Sequence, residues 1–167
     1  DVNPPPGFTP ADGMRPLVFP RDFGAHDDFR TEWWYYTGNL QTPEGRHFGF
    51  ELTIFRVGLL PPTVELPTDS EWYDHSVYFA HFAVSDIEGE RFYAFERYAR
   101  PGPGLAGAQG EPYRVWIEDW SIQESAAAVY RLQATQEQPR RCQQHHCKRY
   151  FTDDQRVPQA MLRSSRA

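Results

Sequence analysis

Phe29-Arg30-Thr31-Glu32-Trp33-Trp34-Tyr35-Tyr36-Thr37-Gly38 is the stretch whose reading decides the fold. Four consecutive aromatics between threonines suit a pleated strand, because such side chains lose rotamer freedom against a helical turn and pack well on a sheet. Strand residues alternate faces, so the run puts two rings on each side, and both sides need apolar contact. Thr42-Pro43-Glu44-Gly45 then turns the chain, and Arg46 to Val57 returns as a second strand. Phe48, Phe50, Leu52 and Ile54 share one face of it; His47, Gly49, Glu51, Thr53 and Phe55 share the other. Two such runs joined by a short Pro/Gly loop predict a hairpin.

The pattern continues downstream. Ser76 to Val84 and Glu90 to Tyr98 are strand-like and flank a turn at Ser85-Asp86-Ile87-Glu88-Gly89. Pro112 to Ile122 reads as a fifth strand, with Tyr113, Val115 and Ile117 on one face and Trp116 and Trp120 on the other, and Ala128 to Gln133 as a sixth. Leu59 to Ser70, with three prolines, and the Gly/Pro-rich Arg100 to Gly110 read as loops. Upstream, Leu17-Val18-Phe19 reads as an edge strand ending at Pro20, and Phe23 to Asp28 as a polar loop. A meander of five or six strands closes into a barrel to remove its edges, and a β-sandwich carries the same signals.

Composition agrees. Of 167 residues, 16% are aromatic, and fifteen Pro and twelve Gly supply frequent turns. The length suffices for one domain with a substantial core. We divide it into an extended Pro-rich arm over 1–15, a β domain over 16–135, and a basic tail over 136–167. Residues 1–135 carry ten Lys+Arg against twenty Asp+Glu, and residues 136–167 carry seven against three. The acidic β domain excludes a nucleic-acid surface, which needs a basic patch. From Gln136 onward neither helix nor strand period is present, so the tail reads as disordered or as frameshifted sequence foreign to the fold. Both cysteines lie there, and Cys142, His145, His146 and Cys147 lack a spacing that wraps a tetrahedron around zinc. No metal and no cofactor is expected. No apolar run approaches the ~20 residues of a membrane span, and no signal peptide is read in the stretch from Asp1.

Ionisable residues on otherwise apolar strands are the candidate chemistry: Glu32, Glu51, His81, Glu96, Arg97 and Asp119, with His26 in its loop. Those that point inward must pair, because an unpaired buried charge is costly; Arg56 or Arg97 with Glu32 or Glu96 would be natural pairs. The aromatics Trp33, Trp34, Tyr35, Tyr36, Phe50, Phe55, Trp116 and Trp120 are the candidate lining of an apolar cavity, with Arg56 and Arg97 at its polar end.

Three blocks carry a resemblance: Phe19-Pro20-Arg21-Asp22-Phe23-Gly24-Ala25-His26, then Phe29 to Leu40, then Phe48-Gly49-Phe50-Glu51-Leu52-Thr53-Ile54-Phe55-Arg56. Together with Ala80 to Asp86, Glu96-Arg97, Gly104 to Ala108 and Val115 to Ser121, they resemble the hydroxyneurosporene synthase (carotenoid 1,2-hydratase) family. That family is also called CrtC or AttH-like, and many bacterial members are labelled predicted secreted hydrolases. The resemblance covers roughly residues 15–135 and implies two lipocalin-like barrels in tandem, of which this chain holds the first. The expected fold class is therefore all-β, an antiparallel lipocalin-like (calycin) meander barrel, complete or incomplete.

The resemblance also implies cofactor-free hydration of an apolar polyene or isoprenoid, a periplasmic or secreted location, and a second barrel as partner. In that chemistry a neutral Glu32 or Glu96 would protonate the alkene. Trp33, Trp34 and Tyr35 would stabilise the cation, each contact worth about 2 kcal/mol or more when desolvated. His81 or His26 would hold and deprotonate the water. The rival readings are a lipid-like-ligand carrier without chemistry, and an inactive fragment of a two-barrel protein.

Overall fold

The computed structural model describes residues 4–126, 129–134 and 162–163, and these form two antiparallel β-sheets. The first sheet runs β1 (Thr31–Gln41), β2 (His47–Gly58), β3 (Ser76–Asp86) and β4 (Arg91–Ala99), each paired with the next. The second runs β5 (Ala106–Gly110), β6 (Tyr113–Ile117), β7 (Trp120–Ala126), β8 (Val129–Gln133) and the two-residue β9 (Leu162–Arg163). Among the described residues there is no α-helix, only a 3₁₀ turn over Arg21–Phe23.

The hairpin forms with Trp34 opposite Ile54 and Trp33 opposite Phe55. Register then propagates across four strands. Trp34, Ile54, Ala80 and Arg97 make one inward row; Trp33, Phe55, Phe79 and Tyr98 make the adjacent outward row. The inward side meets the second sheet in a core of Leu52, Ile54, Tyr78 and Ala80 against Val115, Ile117, Trp120 and Ile122. Phe82 packs edge-on to Trp120, and the Tyr36 and Tyr113 hydroxyls bond across the sheets at 2.7 Å.

The meander does not close into a barrel. β4 and β5 are consecutive yet lie in different sheets, because Pro101-Gly102-Pro103-Gly104 removes two backbone donors and turns the chain across to the second sheet. Three further expectations change. The Gly-rich stretch read as a loop contains β5. The run Pro112 to Ile122 is two strands, separated by a turn at Glu118 (φ 54°) and Asp119. That turn resets the parity, so Tyr113, Val115, Ile117, Trp120 and Ile122 all face the core. Leu17-Val18-Phe19 is no strand: it is exposed, and the Asp22 carboxylate accepts from the Val18 N–H at 2.6 Å. The Pro-rich arm is anchored by Phe8, which is buried against Gly58; a Cβ there would come within 2.6 Å of its ring. The zinc question and most of the tail lie outside the described residues.

Candidate small-molecule site between the sheets

Arg56 organises one end of the space between the sheets. It lies on β2 at the inward parity and is 1% exposed. Nη1 donates to the Phe29 carbonyl at 3.1 Å, and Nη2 donates to the His26 carbonyl at 2.9 Å and to Asp27 Oδ1 at 3.0 Å. Nε sits 3.1 Å from Glu32 Oε1, close enough for an ion pair without being aligned for a hydrogen bond. Glu32 also accepts from the His26 backbone N–H at 2.8 Å and faces His26 Nδ1 at 3.0 Å. His26 Nε2 is 3.4 Å from Asp22, whose carboxyl is held well below the usual carboxylate range by the Arg21 side chain and the Val18 N–H. A buried guanidinium is tolerated only with such compensation.

Beside Arg56 opens a cavity of about 380 Å³. Arg56 and Tyr78 wall it from the first sheet, Ala108, Gln109 and Trp116 from the second. The β2–β3 connection supplies Leu60, Pro62, Asp74 and His75 at its mouth. Trp116 is fixed there because Gly107 leaves room for its ring; a Cβ at Gly107 would lie 2.6 Å from it. Its indole N–H donates to the Gly104 carbonyl at 3.0 Å, and the Arg114 guanidinium covers its ring at 4.7 Å. Tyr78 is 3% exposed and stacks on Trp34. Burial pushes its hydroxyl pKa up, so it stays a neutral hydroxyl group. Among the described residues, no group of His, Cys, Asp or Glu is placed to hold a metal ion.

The sequence-derived candidates divide by strand parity. Glu32, Trp34, Tyr36, Phe50, Arg56, Arg97 and Trp120 lie on the core side, and His26 joins Glu32 from its loop. Arg97 covers the Trp120 ring at 5.0 Å and pairs with Glu118 and Asp119, away from Arg56. Trp33, Tyr35, Phe55, His81 and Glu96 stand on the outward face of the first sheet, because each is one residue out of step with the core row. His81 and Glu96 meet there at 3.7 Å, both largely solvated, so neither reaches a substrate between the sheets. Of the predicted lining, Arg56 and Trp116 border the cavity. Sequence reading passed over Tyr78, which pairs directly opposite Arg56; the long Pro-rich connection before β3 hides that register.

Comparison with known proteins agrees with this architecture. A profile described as AttH-like matches residues 10–144, running past the composition boundary at Gln136. The chain belongs to the AttH-like family. A crystal structure of an AttH candidate from Nitrosomonas europaea is 35% identical and superposes with a TM-score of 0.61, covering 78% of this chain. The AttH-like chain spans only 38% of that protein's length. No curated protein matches it.

Proposed function

We propose that this lipocalin-like domain binds a compact small molecule in the end cavity beside Arg56. The carrying observation is the cavity itself: about 380 Å³, with Leu60, Pro62 and Trp116 as apolar surface and Tyr78, Asp74 and Gln109 as polar groups. Small-molecule sites span ~300–1,000 Å³, so this one, more polar than most with Asp27, Arg56, His75 and Ser76 also on its wall, suits a compact molecule or one end of a longer one. Catalysed hydration of a polyene has weaker support. Glu32 is already engaged by the fold: it accepts from the His26 backbone N–H, lies against the His26 ring and pairs with Arg56. Asp27 and Asp74, the carboxyl groups on the cavity wall, are bonded to Arg56 and Ser76. A second β domain, which the family resemblance implies, belongs to the same proposal as the partner that would complete an enzyme.

The test is a fluorescence titration with the neutral dye Nile red. Wild type should bind it saturably, and Leu60→Trp, which fills the mouth from an exposed loop, should abolish binding with the far-UV circular dichroism unchanged. Absence of saturable binding overturns the reading. So does binding that survives Leu60→Trp and disappears when the outward aromatics Trp33 and Tyr98 become serine.

A further inference from the structure

Resting on the cavity reading above, we infer that the Tyr78 hydroxyl is the ligand anchor and that the ligand is an uncharged molecule carrying a hydroxyl or carbonyl oxygen on an apolar body. Tyr78 is 3% exposed, yet among the described residues its hydroxyl has no hydrogen-bond partner. Unlike Arg56 Nε, this oxygen keeps some accessible surface, so a water or a ligand can reach it and take its hydrogen bond. Tyr78 lines the cavity together with Arg56, Asp27 and Asp74.

The surrounding charges select the ligand. Arg56 looks like an anion receptor, but both of its Nη atoms are committed to Phe29, His26 and Asp27, and its Nε faces Glu32. Against this one guanidinium stand three carboxylates, Asp27, Asp74 and Glu32, with His75 at the mouth. A ligand carboxylate or phosphate would enter a site that already holds an excess of negative charge, at a real electrostatic cost. An ammonium group gains little, because the Asp27 side chain is mostly in water and Asp74 Oδ1 already accepts from both the Ser76 N–H and its hydroxyl at 2.9 Å. The aromatic walls are already partly engaged: Arg114 lies over one face of Trp116, and Trp34 stacks on one face of Tyr78. An alcohol or ketone oxygen can accept from Tyr78, while Trp116, Leu60 and Pro62 cover the hydrocarbon part.

Calorimetric titrations with 1-octanol, octanoate and octylamine test this. Wild type should bind octanol at least about tenfold more tightly than either charged analogue. Tyr78→Phe keeps the ring and its stacking on Trp34, and should weaken octanol binding about three- to tenfold, the worth of one neutral hydrogen bond. It should leave Nile red binding in place, since that dye reports the cavity alone. Octanoate or octylamine binding as tightly as octanol overturns the inference, as does equal octanol affinity in Tyr78→Phe. Should that variant fail to fold, the ranking of the three analogues on wild type decides alone. Loss of Nile red binding by the wild-type protein would instead sink the cavity reading itself.

Discussion

At the scale of single residues, the buried Arg56 dominates. Its pairing with Glu32 is one of the alternatives the sequence offered, Arg56 or Arg97 with Glu32 or Glu96, since a pair is the cheapest way to bury either charge. Arg56→Met removes one partner and leaves Glu32, the Phe29 and His26 carbonyls and Asp27 without their donor. We expect a loss of about 3–5 kcal/mol in urea unfolding, and partial recovery when Glu32→Leu is added, because the double variant leaves no unpaired buried charge. A stability within 1 kcal/mol of wild type for Arg56→Met alone would contradict this, given the scale of that penalty. Asp22 predicts a pH effect of defined sign. Its pKa is depressed below the ordinary 3.8 by Arg21 and the Val18 N–H, so the folded state binds its proton less readily than the unfolded state. Its contribution is therefore fully present above about pH 4 and fades as pH falls further. The melting temperature should drop between pH 4 and 2 in wild type, with a shallower drop in Asp22→Asn.

At the scale of elements, the strands with regular alternation could be read in advance: β2 to β4 match the sequence expectation to within two residues at each end. Two of the failures share one cause, a turn or strand whose chemistry departs from the usual signals. The β6–β7 turn uses Glu118 at positive φ where Gly or Asn is the common choice, so two short strands looked like one. β5 reads Ala-Gly-Ala-Gln-Gly, with none of the β-branched or aromatic residues that mark a strand. Its small residues serve the neighbours, as Gly107 does for the Trp116 ring. Gly102 plays the equivalent part for the connection 59–75. A Cβ there would run into the Glu71 carbonyl oxygen, so that backbone must move. Gly102→Ala should therefore displace the segment that carries the cavity mouth. Limited proteolysis would detect this as faster cleavage between residues 59 and 75, with melting little changed because the core residues lie elsewhere. Cleavage at the wild-type rate would show that the crossing is not tight.

At the scale of the whole molecule, the first sheet carries an aromatic row on its outward face as well as the core on its inward face, and only the inward face meets the second sheet. The opening run of four aromatics states this in the sequence, as it sends two rings to each side. What the sequence could not convey is that Trp33 and Tyr35 take the outer side, since parity relative to the core is set by β2 and β3, which bring Leu52, Ile54, Tyr78 and Ala80 together. The result is a row of Trp33, Phe55, Phe79 and Tyr98 across four strands, roughly 15 Å wide at the usual strand spacing. Phe55 and Phe79 stack at 4.6 Å and 9°, so these rings stand side by side on the sheet and offer edges outward. Trp33 and Tyr98, at 62% and 63% exposure, end the row. An exposed aromatic row across four strands is a surface that favours association. Trp33→Ser with Tyr98→Ser removes the two most exposed rings without opening the core, so the unfolding free energy should change by less than about 1 kcal/mol. Sedimentation velocity over a concentration series should show the wild-type chain associating and the double variant remaining smaller at the same loading. Identical sedimentation of the two proteins would mean that this face is inert and that its rings merely shield the sheet backbone.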